Sequence, residues 1–122
     1  MKTFNLKHVL YFTKDISILE KYHNNKSMQI RNAIASNHDC PLYILEKLAD
    51  NSSSNEVIIS ILYNKNCSED LLIKFHEDHD PNIRYAVVLN PRCPISIYYK
   101  LCLDKEQDIR EVIVSSKRCP VD

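Results

Sequence analysis

Glycine is absent from this chain of 122 residues, and that absence removes several function classes at once. A phosphate-cradling loop needs glycine where the backbone approaches the phosphate, and the nucleophile elbow of a hydrolase needs it on both sides of its serine. Neither can be built here. Net charge is missing too: 16 Lys and Arg stand against 16 Asp and Glu, so no global field favours nucleic acid or an anionic membrane. Long apolar runs are also lacking, since the longest, Tyr85 to Leu89, falls far short of the ~18 residues that a membrane span needs. Asn5, Lys7 and His8 break up the first apolar residues, which argues against a signal-peptide core. A cytoplasmic protein with no membrane association is therefore expected. No carboxylate pair recurs at a spacing that fixes catalytic geometry, so no catalytic residue, no enzymatic activity and no cofactor are expected.

What the chain does have is repetition. Cys40, Cys67, Cys93 and Cys119 lie 27, 26 and 26 residues apart, and Ile30, Val57, Ile83 and Ile109 keep the same intervals. So do Ile34, Ile61, Val87 and Ile113, and so do Asn37, Asn64, Asn90 and Ser116. Ile18 to Tyr22 repeats as Ile44 to Leu48, which carries the register backward. Self-similarity at a period of about 20 to 50 residues marks a stacked repeat array. The spacing divides a single domain, residues 1–122, into an N-terminal cap and half-repeat (1–26), three repeats (27–53, 54–79, 80–105) and a partial fourth (106–122).

Each repeat reads as two helices. The first opens at a polar cap column, Ser27, Ser54, Asp80 and Glu106, of which Glu106 is the poor member; Thr13 is the cap expected for the half-repeat. Apolar residues then recur at i, i+3 and i+4 (Ile83, Ala86, Val87 in the third repeat), which is one helical face. The Asn column ends the helix, because Asn tolerates the left-handed conformation of a helix C-terminus better than other non-glycine residues. Cys-Pro then opens a second helix at Cys40-Pro41 and Cys93-Pro94, with Cys67-Ser68 as the variant. Its inward face is Ile44, Leu45 and Leu48, then Leu71, Leu72 and Phe75, then Ile97, Tyr98 and Leu101. The polar run Asn51 to Asn55 is an expected loop.

Five cysteines, an odd number, do not read as a secreted disulfide framework. Helices pack about 8 to 10 Å apart, whereas a disulfide wants its Cα atoms at roughly 4.4 to 6.8 Å. Equivalent thiols are therefore expected neither to bridge nor to share a metal ion, but to act as small buried apolar side chains. Cys102, aligned with Ala49 and His76, reads as core by the same logic. The fourth repeat lacks a second helix, which leaves Ile109, Val112 and Ile113 without a cover unless Val121 folds back, the chain is trimmed, or the end packs on another molecule. Self-association through that end is one form of the last option.

The run Ile83-Arg84, Val87, Asn90-Pro91, Cys93-Pro94 and Leu101 resembles the leucine-rich repeat variant family, a HEAT-like group of bacterial solenoids. Ile30-Arg31, Asn37, Cys40-Pro41, Leu45 and Leu48-Ala49-Asp50 match nearly as well. The second repeat departs from the pattern, with Ile58 in place of Arg and Ser68 in place of Pro. The resemblance covers roughly residues 27 to 120 and implies an all-α, right-handed superhelix of two-helix repeats of about 26 residues. It implies a scaffold rather than a chemistry. Some members carry an iron–sulfur module ahead of the repeats; the first cysteine here is Cys40, already inside one, so no cluster is carried over.

Two surfaces compete as sites. The first is apolar: Ile58, Ile59 and Tyr85 stand where polar side chains are expected, flanked by Arg31, Arg84 and Arg110, the make-up of a protein-binding hot spot. Repeat twist burying these residues is the competing reading. Tyr43, Ile73 and Tyr99 also fall outside the inward stripe. The second surface is cationic: Lys21, Lys47, Lys74 and Lys100, one per second helix, form with the arginines two ladders able to track a phosphate backbone. Against it, Lys near a helix C-terminus favours the helix dipole, and the arginines can pair with Asn51, Asp78 and Asp104 between repeats. His76-Glu77-Asp78-His79-Asp80 has the residue types of a divalent-ion site, but nothing fixes a third ligand, and no metal is expected. The preferred reading is a scaffold that binds another protein, as adaptor or inhibitor, through Arg31, Ile58, Ile59, Arg84, Tyr85 and Arg110. The alternative is a nucleic-acid-binding module using the lysine ladder.

Overall fold

In a helix-rich chain without glycine, every helix end must be closed by something other than a left-handed glycine, and the computed structural model shows how. It describes residues 5–51 and 54–118. Among these residues there are nine helices and no strand: α1 (Leu6–Phe12), α2 (Ile16–Tyr22), α3 (Met28–Ala35), α4 (Leu42–Asn51), α5 (Asn55–Tyr63), α6 (Glu69–Phe75), α7 (Pro81–Leu89), α8 (Ile95–Leu101) and α9 (Gln107–Ser115). They form two compact units, residues 1–67 and 68–122. The expected fold class holds at the level of all-α.

In the first unit α3 is central, lying against α1, α2, α4 and α5, while α4 also contacts α5. Leu10, Leu19, Ile34, Ile44, Leu45, Leu48 and Ile61 are fully buried there. The expected inward triplet of α4 is thus in the core. Helix starts are capped by side-chain oxygens: Asn5 Oδ1 accepts from His8 N at 3.1 Å, and Ser27 Oγ from Ile30 N at 3.4 Å. Thr13 is not the cap of α2. Asp15 is, accepting from Ser17 N at 3.0 Å, while Thr13 closes α1 through its backbone N–H and accepts from Asp15 N with its hydroxyl at 3.0 Å.

In the second unit α7 lies against α6 and α9, and α8 against α9. Pro81 takes the first helical position behind the Asp80 cap, whose Oδ1 accepts from Asn82 N at 2.8 Å, and its missing N–H is not needed there. Ser68 caps α6 by accepting from Leu71 N at 3.3 Å, which makes the Ser variant of the Cys-Pro step a competent helix start. Glu106 occupies the cap position of α9 without a side-chain cap bond, as expected of the poor member. Ile109 and Ile113 are each only 1 % exposed. They do not lack a cover, because α9 buries this face within its own unit. Val112 is half-buried, and Cys119 and Val121 lie outside the described residues.

The asparagines work differently from the expectation. No non-glycine residue among those described has positive φ, and Asn64 and Asn90 close their helices in extended conformation, with φ/ψ of −71/133 and −72/128. Their value lies in the amide. Asn37 Nδ2 donates to Leu10 O at 2.7 Å and Thr13 O at 2.8 Å, at the end of α1. One interval on, Asn64 Nδ2 donates to Ala35 O and Asn37 O, both at 2.9 Å, at the end of α3. The Oδ1 atoms of Asn37, Asn64 and Asn90 each accept the N–H two residues on, at 2.7, 2.9 and 2.8 Å. Asn37 and Asn64 are 1 and 7 % exposed, and their bonds to Leu10, Ala35 and Asn37 are buried, so those carbonyls have no water to turn to. Ser116 stands where a fourth Asn would be, and serine is too short to span the gap. Tyr98 Oη donates instead to Val88 O at 3.4 Å and meets Ser116 Oγ at 3.4 Å.

If the amide and not the backbone conformation is what matters, Asn64→Gly and Asn64→Ala each lower the free energy of unfolding by about 3 kcal/mol, the cost of stranding two buried carbonyls. Urea titration of the two variants checks this. A glycine variant as stable as the parent restores the left-handed explanation.

Candidate protein-binding face

The arginine column is built into the helix starts. Arg31 Nη1 donates to Asn25 O at 2.8 Å and Lys26 O at 3.0 Å, just ahead of α3. Arg84 Nη1 donates to Asp78 O at 2.8 Å and His79 O at 3.2 Å ahead of α7, and Arg110 Nη1 to Asp104 O at 2.5 Å ahead of α9. Each guanidinium folds back on the loop that leads into its own helix. Arg84 goes further: Nε and Nη2 grip Asp104 Oδ2 and Oδ1 at 2.8 and 3.1 Å, a forked pair with both side chains buried. Asp104 Oδ1 also accepts from Glu106 N at 2.9 Å. Arg31 Nε is buried without a partner, and Asn51 turns to Asn24 Oδ1 at 3.3 Å.

The six residues expected on the docking face therefore separate. Ile58 is 7 % and Arg84 6 % exposed, and neither offers its side chain to a partner. Ile59, Arg31, Tyr85 and Arg110 are half-buried. Arg31, Ile58 and Ile59 belong to the first unit and Arg84, Tyr85 and Arg110 to the second. Within the second unit Tyr85 and Arg110 line different depressions. Tyr85 sits in a groove of about 350 Å³ at the start of α7 and α9, with Pro81, Asn82, Glu106, Asp108 and Ile109. Arg110 borders a separate one of about 280 Å³.

In the Tyr85 groove an aromatic ring is rimmed by two carboxylates, Glu106 and Asp108. Both sit at the positive end of the α9 dipole, where negative charge is favoured. A ring face with carboxylates beside it suits the ammonium or guanidinium of a basic side chain. Tyr85 was visible in the sequence as an aromatic at a position expected to be polar. Its acidic companions were not, because they come from a helix start twenty-odd residues away.

Lys21, Lys47, Lys74 and Lys100 are all exposed. Three of them lean over aromatic rings of their own helices: Lys21 Nζ lies 5.4 Å from the Tyr22 centroid, Lys47 5.7 Å from Tyr43, and Lys74 5.5 Å from Phe75. Tyr43, Ile73 and Tyr99 are exposed as well, at 43, 47 and 60 %. A shallower groove in the first unit, of about 230 Å³, is lined by Tyr11, Ser36, His38, Ser60, Tyr63 and Asn64. The period gave no hint of it, although Tyr63 and Ser36 share the position just before the Asn column.

The imidazole-rich corner serves helix ends. His76 Nδ1 bonds Ile73 O at 2.5 Å, as His23 Nδ1 bonds Glu20 O at 2.6 Å, and His76 Nε2 lies 3.3 Å from Glu77 Oε1. Asp78 and Asp80 accept backbone N–H groups at 2.9 and 2.8 Å. Among the described residues no three His, Cys, Asp or Glu side chains converge as metal ligands. Cys102 belongs to the same capping position. It is exposed rather than core, and its Sγ turns back to donate to Tyr99 O at 3.0 Å. Cys40, Cys67 and Cys93 are fully buried, and burial pushes the Cys40 thiol up to about 12 and the Cys93 thiol up to about 11. Thiols so protonated are poor nucleophiles. No protein-family profile, no curated protein sequence and no solved structure matches the chain.

Burial by itself would raise the Asp104 carboxyl, but hydrogen bonds from Arg84 and the Glu106 N–H, with the Arg84 and Lys105 charges, hold it below its ordinary value. A depressed carboxylate contributes stability above its unfolded pKa, about 3.9, and that contribution is lost as pH falls through the folded value. Urea unfolding from about pH 7 down to about pH 3 shows this acid loss in the parent and less of it in Asp104→Asn, which is itself about 3 kcal/mol weaker at neutral pH. In alkylation at about pH 8, Cys102 of the native chain is labelled within minutes while Cys40, Cys67 and Cys93 wait for unfolding. Peptide mass mapping reads the difference, and equal labelling of Cys40 and Cys102 contradicts it.

Proposed function

We propose that this chain is a non-catalytic, cytoplasmic repeat scaffold that binds another protein. In this reading the two-helix units of about 26 residues stack as a right-handed solenoid of the leucine-rich repeat variant kind. Support for the stacking comes from recurrence: α3, α5, α7 and α9 begin at Met28, Asn55, Pro81 and Gln107, the intervals of the sequence period. The Asn37 and Asn64 amides also make the same cross-helix bonds one interval apart. No helix among the described residues is long and apolar enough to cross a membrane.

The observation that carries the binding function is the Tyr85 groove. A half-buried tyrosine between two carboxylates satisfies no evident need of the fold, whereas it suits a basic side chain of a partner segment, with the ring supplying contact area and the acids selecting charge. The partner is accordingly a protein with an exposed Lys- or Arg-bearing stretch, and the chain acts on it as adaptor or inhibitor. The phosphate-tracking alternative draws less support, because Lys21, Lys47 and Lys74 are already engaged with their own aromatic neighbours and the acidic rim of the groove opposes a polyanion.

Affinity capture from the native host compares the parent with Tyr85→Ala and Asp108→Asn, each shown by its thermal melt to be folded at the capture temperature. The expected outcome is one captured protein lost from both variants, by about tenfold or more, consistent with removal of a single hot-spot contact. Equal recovery by parent and variants rejects the Tyr85 groove. Binding of DNA or RNA at low salt that disappears in Lys47→Glu, Lys74→Glu, Lys100→Glu transfers the function to the lysine ladder.

A further inference from the structure

α7 and α9 carry the same columns, yet one is covered and the other open. On α7, Arg84 and Val88 are 6 and 2 % exposed. α9 lies against α7, and Asp104, two residues before the α9 cap, delivers its carboxylate to Arg84 Nε and Nη2 at 2.8 and 3.1 Å. One interval on, Arg110 and Val114 hold the equivalent places on α9. Val114 is 73 % exposed, although Ala35, Leu62 and Val88 in its column are buried. Arg110 keeps the backbone clasp through Nη1, but among the described residues its Nε and Nη2 meet no carboxylate. With Gln107, Glu111 and Ser115 these two residues border the open groove of about 280 Å³.

We propose that this face of α9 docks a helical segment of another protein that brings a carboxylate to Arg110, as Asp104 does to Arg84. The molecule itself supplies the template. A guanidinium fork with one edge unused takes a carboxylate in paired hydrogen bonds, and Val114 beside it offers the apolar contact that its column makes elsewhere. Glu111, the acidic neighbour, accepts from Gln107 Nε2 at 2.8 Å, so its carboxylate is turned to its own helix rather than paired with the guanidinium. Charge also selects against a second copy stacked head to tail. α1, the first described helix, carries Lys7 and no Asp or Glu, so a copy that packs this helix on α9 brings like charge toward Arg110. The face shares no residue with the Tyr85 groove, and the proposal stands or falls separately from it.

The probe is a synthetic acetylated peptide with the sequence of residues 104–115, the segment that performs this task against α7, titrated into isotope-labelled full chain and followed by NMR. Amide shifts centre on Gln107, Arg110, Val114 and Ser115. Binding weakens about tenfold when the peptide carries Asp104→Asn or the chain carries Arg110→Gln, as the loss of one charge-assisted pair requires. Chain Arg110→Glu with peptide Asp104→Lys restores it. No shift at these amides up to about 1 mM peptide, or equal binding by Arg110→Gln, overturns the proposal. So does concentration-dependent broadening of α9 amides without peptide, which assigns the face to a second copy. Contacts between the Val114 methyls and residues 119–122 overturn it as well, by assigning the face to the chain itself.

Discussion

The structure depends on how a helix can end inside protein when no glycine is available. The last carbonyls of an α-helix have no partner within it, and where one helix end is buried beside the next those groups face side chains rather than water. An asparagine amide solves this with one residue. Its two N–H bonds reach two carbonyls of the preceding helix end, and its oxygen turns the local chain by accepting the N–H two residues on. Asn37 and Asn64 do this with nearly the same distances. Satisfying a buried carbonyl avoids a cost of roughly 1 to 3 kcal/mol, so each such residue weighs as much as a large apolar side chain.

The arginines perform the matching task at the other end of the same helices. Each clasps carbonyls of the loop leading in, which sets where the helix begins relative to its neighbours. Arg84 adds the buried pair with Asp104, a geometry that lysine cannot reproduce because it lacks the planar fork. What first reads as an arginine ladder is thus largely internal hydrogen bonding. The substitutions follow the same rule. Where Ser116 replaces Asn, Tyr98 supplies the missing donor, and the position is held by Leu45 and Leu72 in the other copies, which have no hydroxyl to give. Arg118 donates to Pro91 O at 2.6 Å and to Cys93 O, the carbonyls that correspond to those Asn66 takes at His38 and Cys40.

Residue period made most of the helices legible, because apolar positions at 3.6 spacing and a cap column fix where each can start and which face turns inward. Ile44, Leu45 and Leu48, and their counterparts through Leu101, are all buried as read. Conformation and contact were less legible. A column of Asn is compatible with left-handed φ or with amide bonding, and sequence alone does not distinguish the two. Cys102 shares a column with Ala49 and His76, both buried, yet it is exposed, so the column alone does not fix burial where a helix closes. Only Tyr85 of the expected face enters the acid-rimmed groove, since the residues that complete it come from another helix start, and spacing along one chain says nothing about which side of a neighbour a side chain will meet.

Zero net charge hides a local separation of signs, and that separation bears on what a partner must look like. Around Tyr85 the charge is acidic, from half-buried Glu106 and exposed Asp108. On the adjacent face of α9 the guanidinium of Arg110 clasps Asp104 O through Nη1, while its Nε and Nη2 meet no carboxylate among the described residues. Both faces meet at one short helix of nine residues, so a single partner surface that reaches both needs a basic side chain and a carboxylate within about one helix length, roughly 14 Å. A polyanion fails this requirement at the first face and a polycation at the second. Under the proposed docking reading, a folded protein surface, where both signs are interspersed, meets this requirement.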